Sequence, residues 1–341
     1  MVKWENRWAA LDTTPVCYIV PALHFPNAYE SAIEASFGVG SVGKEFFLWR
    51  ELMKNWCSDI GRLFLLVGLL SVVAMAAGPA SPFKFRTESI PGAIETDIFG
   101  VNNSMVGVGA YVDSHGVRHG FMAGGGKVTT IDDPNGSNTY CFGINNLGAI
   151  VGYYATSNFS AQAFLYQNGT FTDIGPAGAV GSQGLGINDS GEINGNFSDA
   201  NGGGHGFLFS GGTYTTIDVP GAAFTLGGGI NNAGILTEVW IDSEGNAESS
   251  VYNGTTFTTI NVPGAESSSA GAISNDNDIV FSWEDSSDNY YGAVLHAGKF
   301  YNFEEPKGDR TWGYGINDHR VIVGSYRPTG TQSNTGFAAT P

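Results

Sequence analysis

Basic residues are scarce in this chain: 15 Lys and Arg stand against 32 Asp and Glu, for a formal net charge of −17. Phosphate binding needs clustered Lys and Arg, so nucleic acid and anionic lipid are excluded as partners. The bland meaning of the acidic balance is solubility. Cysteine is nearly absent, with three residues, Cys17, Cys57 and Cys141. A stapling disulfide framework is therefore excluded, and packing must hold the fold. Catalytic signatures are missing as well. No Gly-x-Ser-x-Gly, His-Glu-x-x-His, Walker loop or EF-hand pattern occurs, so no catalytic residue, metal site or cofactor is expected.

Long apolar runs are confined to one stretch, residues 63–77, LFLLVGLLSVVAMAA. It falls short of the roughly 20 residues a membrane span needs. Lys54 and Arg62 precede it and Ala74-Met75-Ala76 lies at its end, the layout of a secretory signal. Residues 53–77 are read as a signal peptide starting at Met53, and residues 1–52 as an upstream extension from a misplaced start. The expected destination is extracellular or periplasmic; the competing reading is a signal anchor at a membrane. Cleavage leaves Cys141 alone, in a predicted strand, as a small buried hydrophobe.

Glycine, by contrast, is abundant, at 50 residues. Much of it belongs to a repeat. Gly-Ile-Asn or a variant begins at Gly100, Gly143, Gly186, Gly229, Ala272 and Gly315, always 43 residues apart. Such a period with several strands per unit signals a propeller or solenoid. In the second copy, strand A ends at 141–144, strand B is 149–154, strand C is 163–166 and strand D is 171–174. Asn168-Gly169 between C and D is a hairpin signal, because both residues tolerate positive φ. Four antiparallel strands per unit make a propeller blade.

Column by column the pattern holds. Tyr111, Tyr154, Phe197, Trp240, Trp283 and Tyr326 form an aromatic column, best read as packing between blades. Ile131, Ile174, Ile217, Ile260 and Phe303 form another in strand D. The last copy lacks a strand D, whereas Phe85–Pro91 aligns with one. The N-terminal strand should therefore complete the last blade, closing an all-β, six-bladed β-propeller of four-stranded antiparallel blades over residues 84–341. Glu88 is the misfit, standing where other copies carry Ile or Phe, so this strand is expected to be shifted or partly exposed.

These repeats resemble an extracellular family named for a His-Ala-Phe motif. Its versions here are His119-Gly-Phe121, Gln162-Ala-Phe164 and His205-Gly-Phe207, flanked by Gly-Ile-Asn-Asn-x-Gly-x-Ile-Val-Gly at 143–152 and Thr-Thr-Ile-Asp-x-Pro-Gly-Ala at 215–222. The resemblance covers residues 85–341 and implies an exported propeller-like repeat protein. It carries over no catalytic residue.

Strand alternation puts the B–C and D–A loops on one rim. Variable loops on a rigid scaffold are where recognition usually sits. The ligand-binding candidates on this rim are Asp113, Asp199, Asp242 and Asp285 from B–C loops, with Tyr140, Phe224, Arg310 and Trp312 assigned to D–A loops. The plainer role of the four Asp residues is turn initiation. Asn102, Asn145, Asn188, Asn231 and Asn317 either close turns or ring the central channel. His119 and His205 read as structural. The expected function is a non-catalytic binding scaffold for a protein or glycan. The alternative is a carbohydrate-active hydrolase or lyase, which would need two carboxylates facing one pocket.

Overall fold

The computed structural model describes residues 83–157 and 160–341; the expected signal and upstream extension, residues 1–77, lie outside the described residues. The described residues form 24 strands and no helix. Strand β1 (Lys84–Glu88) comes first. Blade 1 is β2 (Glu95–Val101), β3 (Gly107–Val112), β4 (Arg118–Gly124) and β5 (Lys127–Ile131). Blade 2 is β6 (Ser137–Ile144), β7 (Ile150–Ala155), β8 (Ala161–Gln167) and β9 (Thr170–Asp173). Blade 3 is β10 (Gly181–Ile187), β11 (Ile193–Ser198), β12 (Gly204–Ser210) and β13 (Thr213–Ile217). Blade 4 is β14 (Phe224–Thr225), β15 (Leu236–Ile241), β16 (Ala247–Tyr252) and β17 (Phe257–Thr259). Blade 5 is β18 (Ser267–Ile273), β19 (Ile279–Glu284), β20 (Tyr290–His296) and β21 (Lys299–Phe303). Blade 6 is β22 (Gly308–Ile316), β23 (Ile322–Pro328) and β24 (Thr335–Thr340), with β1 as its fourth strand.

The ring closes as the repeat requires. β1 pairs antiparallel with β24, from Lys84 opposite Thr340 to Glu88 opposite Gly336. Phe85 packs against Phe303 and Phe337. Glu88 keeps the register of the strand-D column, since it faces a glycine as Ile131 faces Gly120. The closing strand is not shifted. Glu88 is half-buried and ion-pairs with Arg86, and Ile90 packs into the blade 6–blade 1 core.

Gly-Ile-Asn is a device for the channel wall. A Cβ at Gly100, Gly143, Gly186, Gly229 or Gly315 would press on backbone of the next blade, so glycine lets the inner strands crowd the axis. The Ile column is buried between blades. Each Asn then does two jobs. The Asn145 side-chain oxygen accepts the N–H groups of Leu147 and Ala149, closing the A–B turn. Its Nδ2 donates to the carbonyl of Asn188, one blade on. Asn102, Asn188, Asn231 and Asn317 make the same link, and only Ser274, the degenerate copy, interrupts it.

The next residue builds a second, complete ring. The N–H groups of Asn103, Asn146, Asp189, Asn232, Asn275 and Asp318 each donate to the side-chain oxygen of the following blade, at 2.8–3.0 Å. Burial pushes the Asp189 and Asp318 carboxyls up. Amide donors, Asn146 and Asn232 on one and Asn103 and Asn275 on the other, outweigh it and bring both below the usual range.

Blade interiors follow one rule with two exceptions. Phe121, Phe164, Phe207 and Phe337 are fully buried, each directly across from a strand-B glycine: Gly109, Gly152, Gly195 and Gly324. A Cβ at those glycines would strike the strand-A carbonyl and the Phe ring. Blade 5 swaps the pair, with Phe281 opposite Ala293. Blade 4 replaces it with Glu238 opposite Ser250. There the inner strand is reduced to Phe224 and Thr225, and Gly227 takes φ 63° as the chain leaves the sheet. Cys141 is fully buried, and burial pushes its thiol up.

Candidate functional site

The B–C and D–A rim holds a cavity of about 260 Å³ between blades 4 and 5, reaching Trp312 of blade 6. Its position follows from the sequence. β18 starts and β19 ends in polar residues at this rim, and Ser269 leaves room where the other blades carry Asp97, Tyr140, Gln183, Leu226 and Trp312. Trp283, Tyr290 and Trp312 supply aromatic walls, and Glu266, Glu284 and Asp288 supply carboxylates. Burial, then the hydrogen-bonded Glu284 carboxylate, pushes the Tyr290 hydroxyl up, so Tyr290 stays a neutral donor to that carboxylate. Arg310 lies over the Tyr290 ring at 4.5 Å, a cation–π contact that fixes the ring's face. The indole N–H groups of Trp283 and Trp312 are buried without an acceptor among the described residues.

The eight expected rim residues divide by role. Asp113, Asp199, Asp242 and Asp285 each turn one carboxylate oxygen onto two backbone N–H groups of their own loop; Asp113 takes those of His115 and Val117. All four carboxyls are held below the usual range, Asp113, Asp199 and Asp242 chiefly by these backbone bonds and Asp285 first by the Asn289 side-chain amide and then by its backbone bonds. Asp242 also accepts from Asn246, which borders the rim cavity. Tyr140, Phe224, Arg310 and Trp312 belong to inner strands rather than to D–A loops, because pairing with strand B continues to the rim at Ser137 and Gly308. Tyr140 is buried in stacking contact with Tyr153 at 4.6 Å. Phe224 packs on the Val239, Ile241 and Ala247 cluster. Of the eight, Trp312 alone lines the rim cavity, and Arg310 touches it through Tyr290.

The motif histidines are clamps. His119 Nδ1 lies 2.7 Å from Asp132 of strand D, its Nε2 3.6 Å from Asp113 of the B–C loop, and its ring stacks on Tyr111. His205 repeats this with Asp218, Asp199 and Phe197. Tyr291 takes the same place in blade 5, stacked on Trp283 and donating to Asp285. No group of three or more His, Cys, Asp or Glu among the described residues is placed to hold a metal.

Two buried acidic features escaped the column reading. The first is at the blade 6–blade 1 seam. Arg118 ion-pairs with Glu95 at 2.5 Å and with Asp97 at 3.4 Å, while Asn334 donates to Asp97 at 3.1 Å. Asp97 is 1% exposed, and burial with the neighbouring Glu95 raises its pKa to about 7 against the pull of Arg118. The available signal was the column Asp97, Tyr140, Gln183, Leu226, Ser269, Trp312, in which one member alone is acidic. The second is Glu238, fully buried and pushed up by burial, with Asn194 donating to it at 3.1 Å. Its signal was a carboxylate in a column of glycines.

No protein-family model matches the chain, and no curated protein matches it. Solved structures do. SapL1 lectin in complex with alpha methyl fucoside is similar with a TM-score of 0.50 at 11% identity, over 72% of this chain and 93% of that one. An Aleuria aurantia lectin mutant in complex with alpha-methyl-L-fucoside gives a TM-score of 0.48 at 14% identity, over 74% and 93%. The β-propeller domain of the Trilobed protease from Pyrococcus furiosus gives 0.43 at 10%, over 72% and 95%. At these identities the likeness is one of fold: the chain is a six-bladed β-propeller.

Proposed function

We propose that this protein is an exported, non-catalytic propeller that binds a glycan in the rim cavity between blades 4 and 5. One observation carries the reading: three aromatic side chains and three carboxylates border a single polar cavity on the loop-bearing rim. A saccharide needs both. Ionised carboxylates only accept hydrogen bonds, which matches a ligand rich in hydroxyl donors. Aromatic faces accept the apolar C–H side of a sugar ring, and they keep the site in shape at low entropic cost. The two unpaired indole N–H groups beside the cavity are further donors for a bound oxygen.

Binding is favoured over hydrolysis because none of the raised carboxyls, Asp97, Asp133 and Glu238, borders the rim cavity. A glycosidase needs its raised acid and its partner carboxylate open to one sugar. Asp97, the raised acid beside Glu95, is buried under Arg118 and Asn334, away from the rim cavity. The fold shared with SapL1 lectin is compatible with a glycan ligand, and the cavity chemistry carries the proposal. The repeat motifs and the signal-like segment 53–77 support membership of the His-Ala-Phe repeat family and export.

The test is a glycan array with the propeller, followed by calorimetric titration of each hit against Glu284→Gln and Trp283→Ala. Saccharide binding that falls at least about tenfold in both variants, on the order of 1.4 kcal/mol, is the expected result. A silent array, or hits indifferent to both substitutions, overturns the proposal.

A further inference from the structure

The central channel is lopsided, and its asymmetry is written in one repeat column. At the inner-strand bulge position the blades carry Phe99, Phe142, Leu185, Gly228, Gly271 and Tyr314. Three consecutive blades, 6, 1 and 2, therefore fill their share of the axis with rings, and blades 4 and 5 put only backbone there. The result is a void of about 210 Å³ facing an aromatic wall. An engineered cavity of about 150 Å³ suffices for benzene.

The wall is ordered. Phe99 stacks on Phe142 at 4.5 Å with 19° between planes, and Phe142 continues onto Tyr153 at 5.7 Å and 20°. Phe142 stays half-buried at the centre of the ring, because the channel is what it faces. Opposite lie flat glycine backbone and the hydroxyls of Ser269 and Ser282. The ionisable carboxyls among the lining residues are Asp189 and Asp318, both held ionised at the A–B turn end, and no Lys, Arg or His joins them. Ser269 and Ser282 line the rim cavity too and stand between the two spaces.

We propose that the channel is a binding site for a small, uncharged, planar aromatic molecule, slotted between the Phe99–Phe142 stack and the glycine backbone of blades 4 and 5. Near-parallel rings favour a flat partner in offset stacking. Predominantly apolar walls with uncharged amides and a few hydroxyls fix orientation rather than charge. The two carboxylates repel anions. This site stands apart from the saccharide reading, and either can fail without the other.

The probe is 2-naphthol, titrated calorimetrically into the propeller beside naphthalene-2-sulfonate, its anionic relative, and decahydro-2-naphthol, its non-planar one. Saturable 1:1 binding of 2-naphthol is expected, with the two relatives at least about tenfold weaker. Leu185→Trp should fill the void and abolish binding. Three other blades hold a large aromatic at that position, so the fold accommodates one. Phe142→Leu should weaken binding several-fold through loss of the stack, and it serves as the deciding variant if Leu185→Trp does not fold. Glu284→Gln should leave it unchanged. No saturable binding of 2-naphthol overturns the proposal, as does binding that survives Leu185→Trp in a folded ring, or survives Phe142→Leu undiminished.

Discussion

Asp97→Asn should make the protein more resistant to alkali. Asp97 and Glu95 share one counter-ion, Arg118, in a seam where Asp97 is 1% exposed. With Asp97 protonated the trio is neutral; with Asp97 ionised it carries a buried surplus charge. The folded pKa of about 7 stands above the unfolded value of 3.8. The native state thus binds the proton more tightly, and stability falls as pH rises from 3.8 to 7. Of this window, about two units lie between pH 5 and pH 8. At about 1.4 kcal/mol per unit, the wild type loses on the order of 3 kcal/mol that the Asn variant keeps. For a domain of this size that amounts to roughly 6 to 10 °C in melting temperature. Glu95, Arg118, Tyr140 and Tyr314 surround the carboxyl and are unchanged in the variant, and the Asn334 donor still meets a side-chain oxygen at position 97. The assay is calorimetric melting of both proteins at half-unit steps from pH 5 to 9. The gap between the curves should widen with pH and level off above 7. Parallel curves would refute the seam as the cause.

Three further outcomes follow from the packing. Ser250→Phe alone should destabilise by about 1–3 kcal/mol through overpacking against Glu238, whereas Ser250→Phe with Glu238→Gly restores the pair used by four blades and should recover the loss; urea midpoints in a double-mutant cycle measure the coupling. Ser274→Asn should raise stability by about 1 kcal/mol, because the added amide can reach the Asn317 carbonyl and complete the interrupted ring, and the midpoint shift reads it directly. Phe85→Ala, at a half-buried ring, should cost about 1–3 kcal/mol and loosen β1 from the β24 edge, read as a lower melting point with concentration-dependent aggregation.

Ring size and closure were legible because a fixed 43-residue step leaves no freedom: each blade buries its neighbour, so the segment at 85–91 could belong only to the blade that lacked a fourth strand. The inner strands were less so. Tyr140, Arg310 and Trp312 sit where repeat similarity fades, yet pairing with strand B outlasts that similarity. The collapse of β14 follows the glycine run after Leu226, where Gly227 takes a positive φ, and a column of Gly-Ile-Asn conceals it. The site was the least legible. Recognition columns favour what all blades share, and the rim cavity is made from what one blade pair does alone. Asp113, Asp199, Asp242 and Asp285 stood out as equivalent residues, and equivalence is the mark of their loop-closing work.

The ring through Asn103, Asn146, Asp189, Asn232, Asn275 and Asp318 has a direction: every N–H points the same way around the axis. Such a circuit has neither a first member nor a last, so opening the ring at any one seam would leave a donor and an acceptor stranded at the break. Closure in this molecule is thereby held at the hub as well as at the rim, independently of how the outer strands happen to be joined.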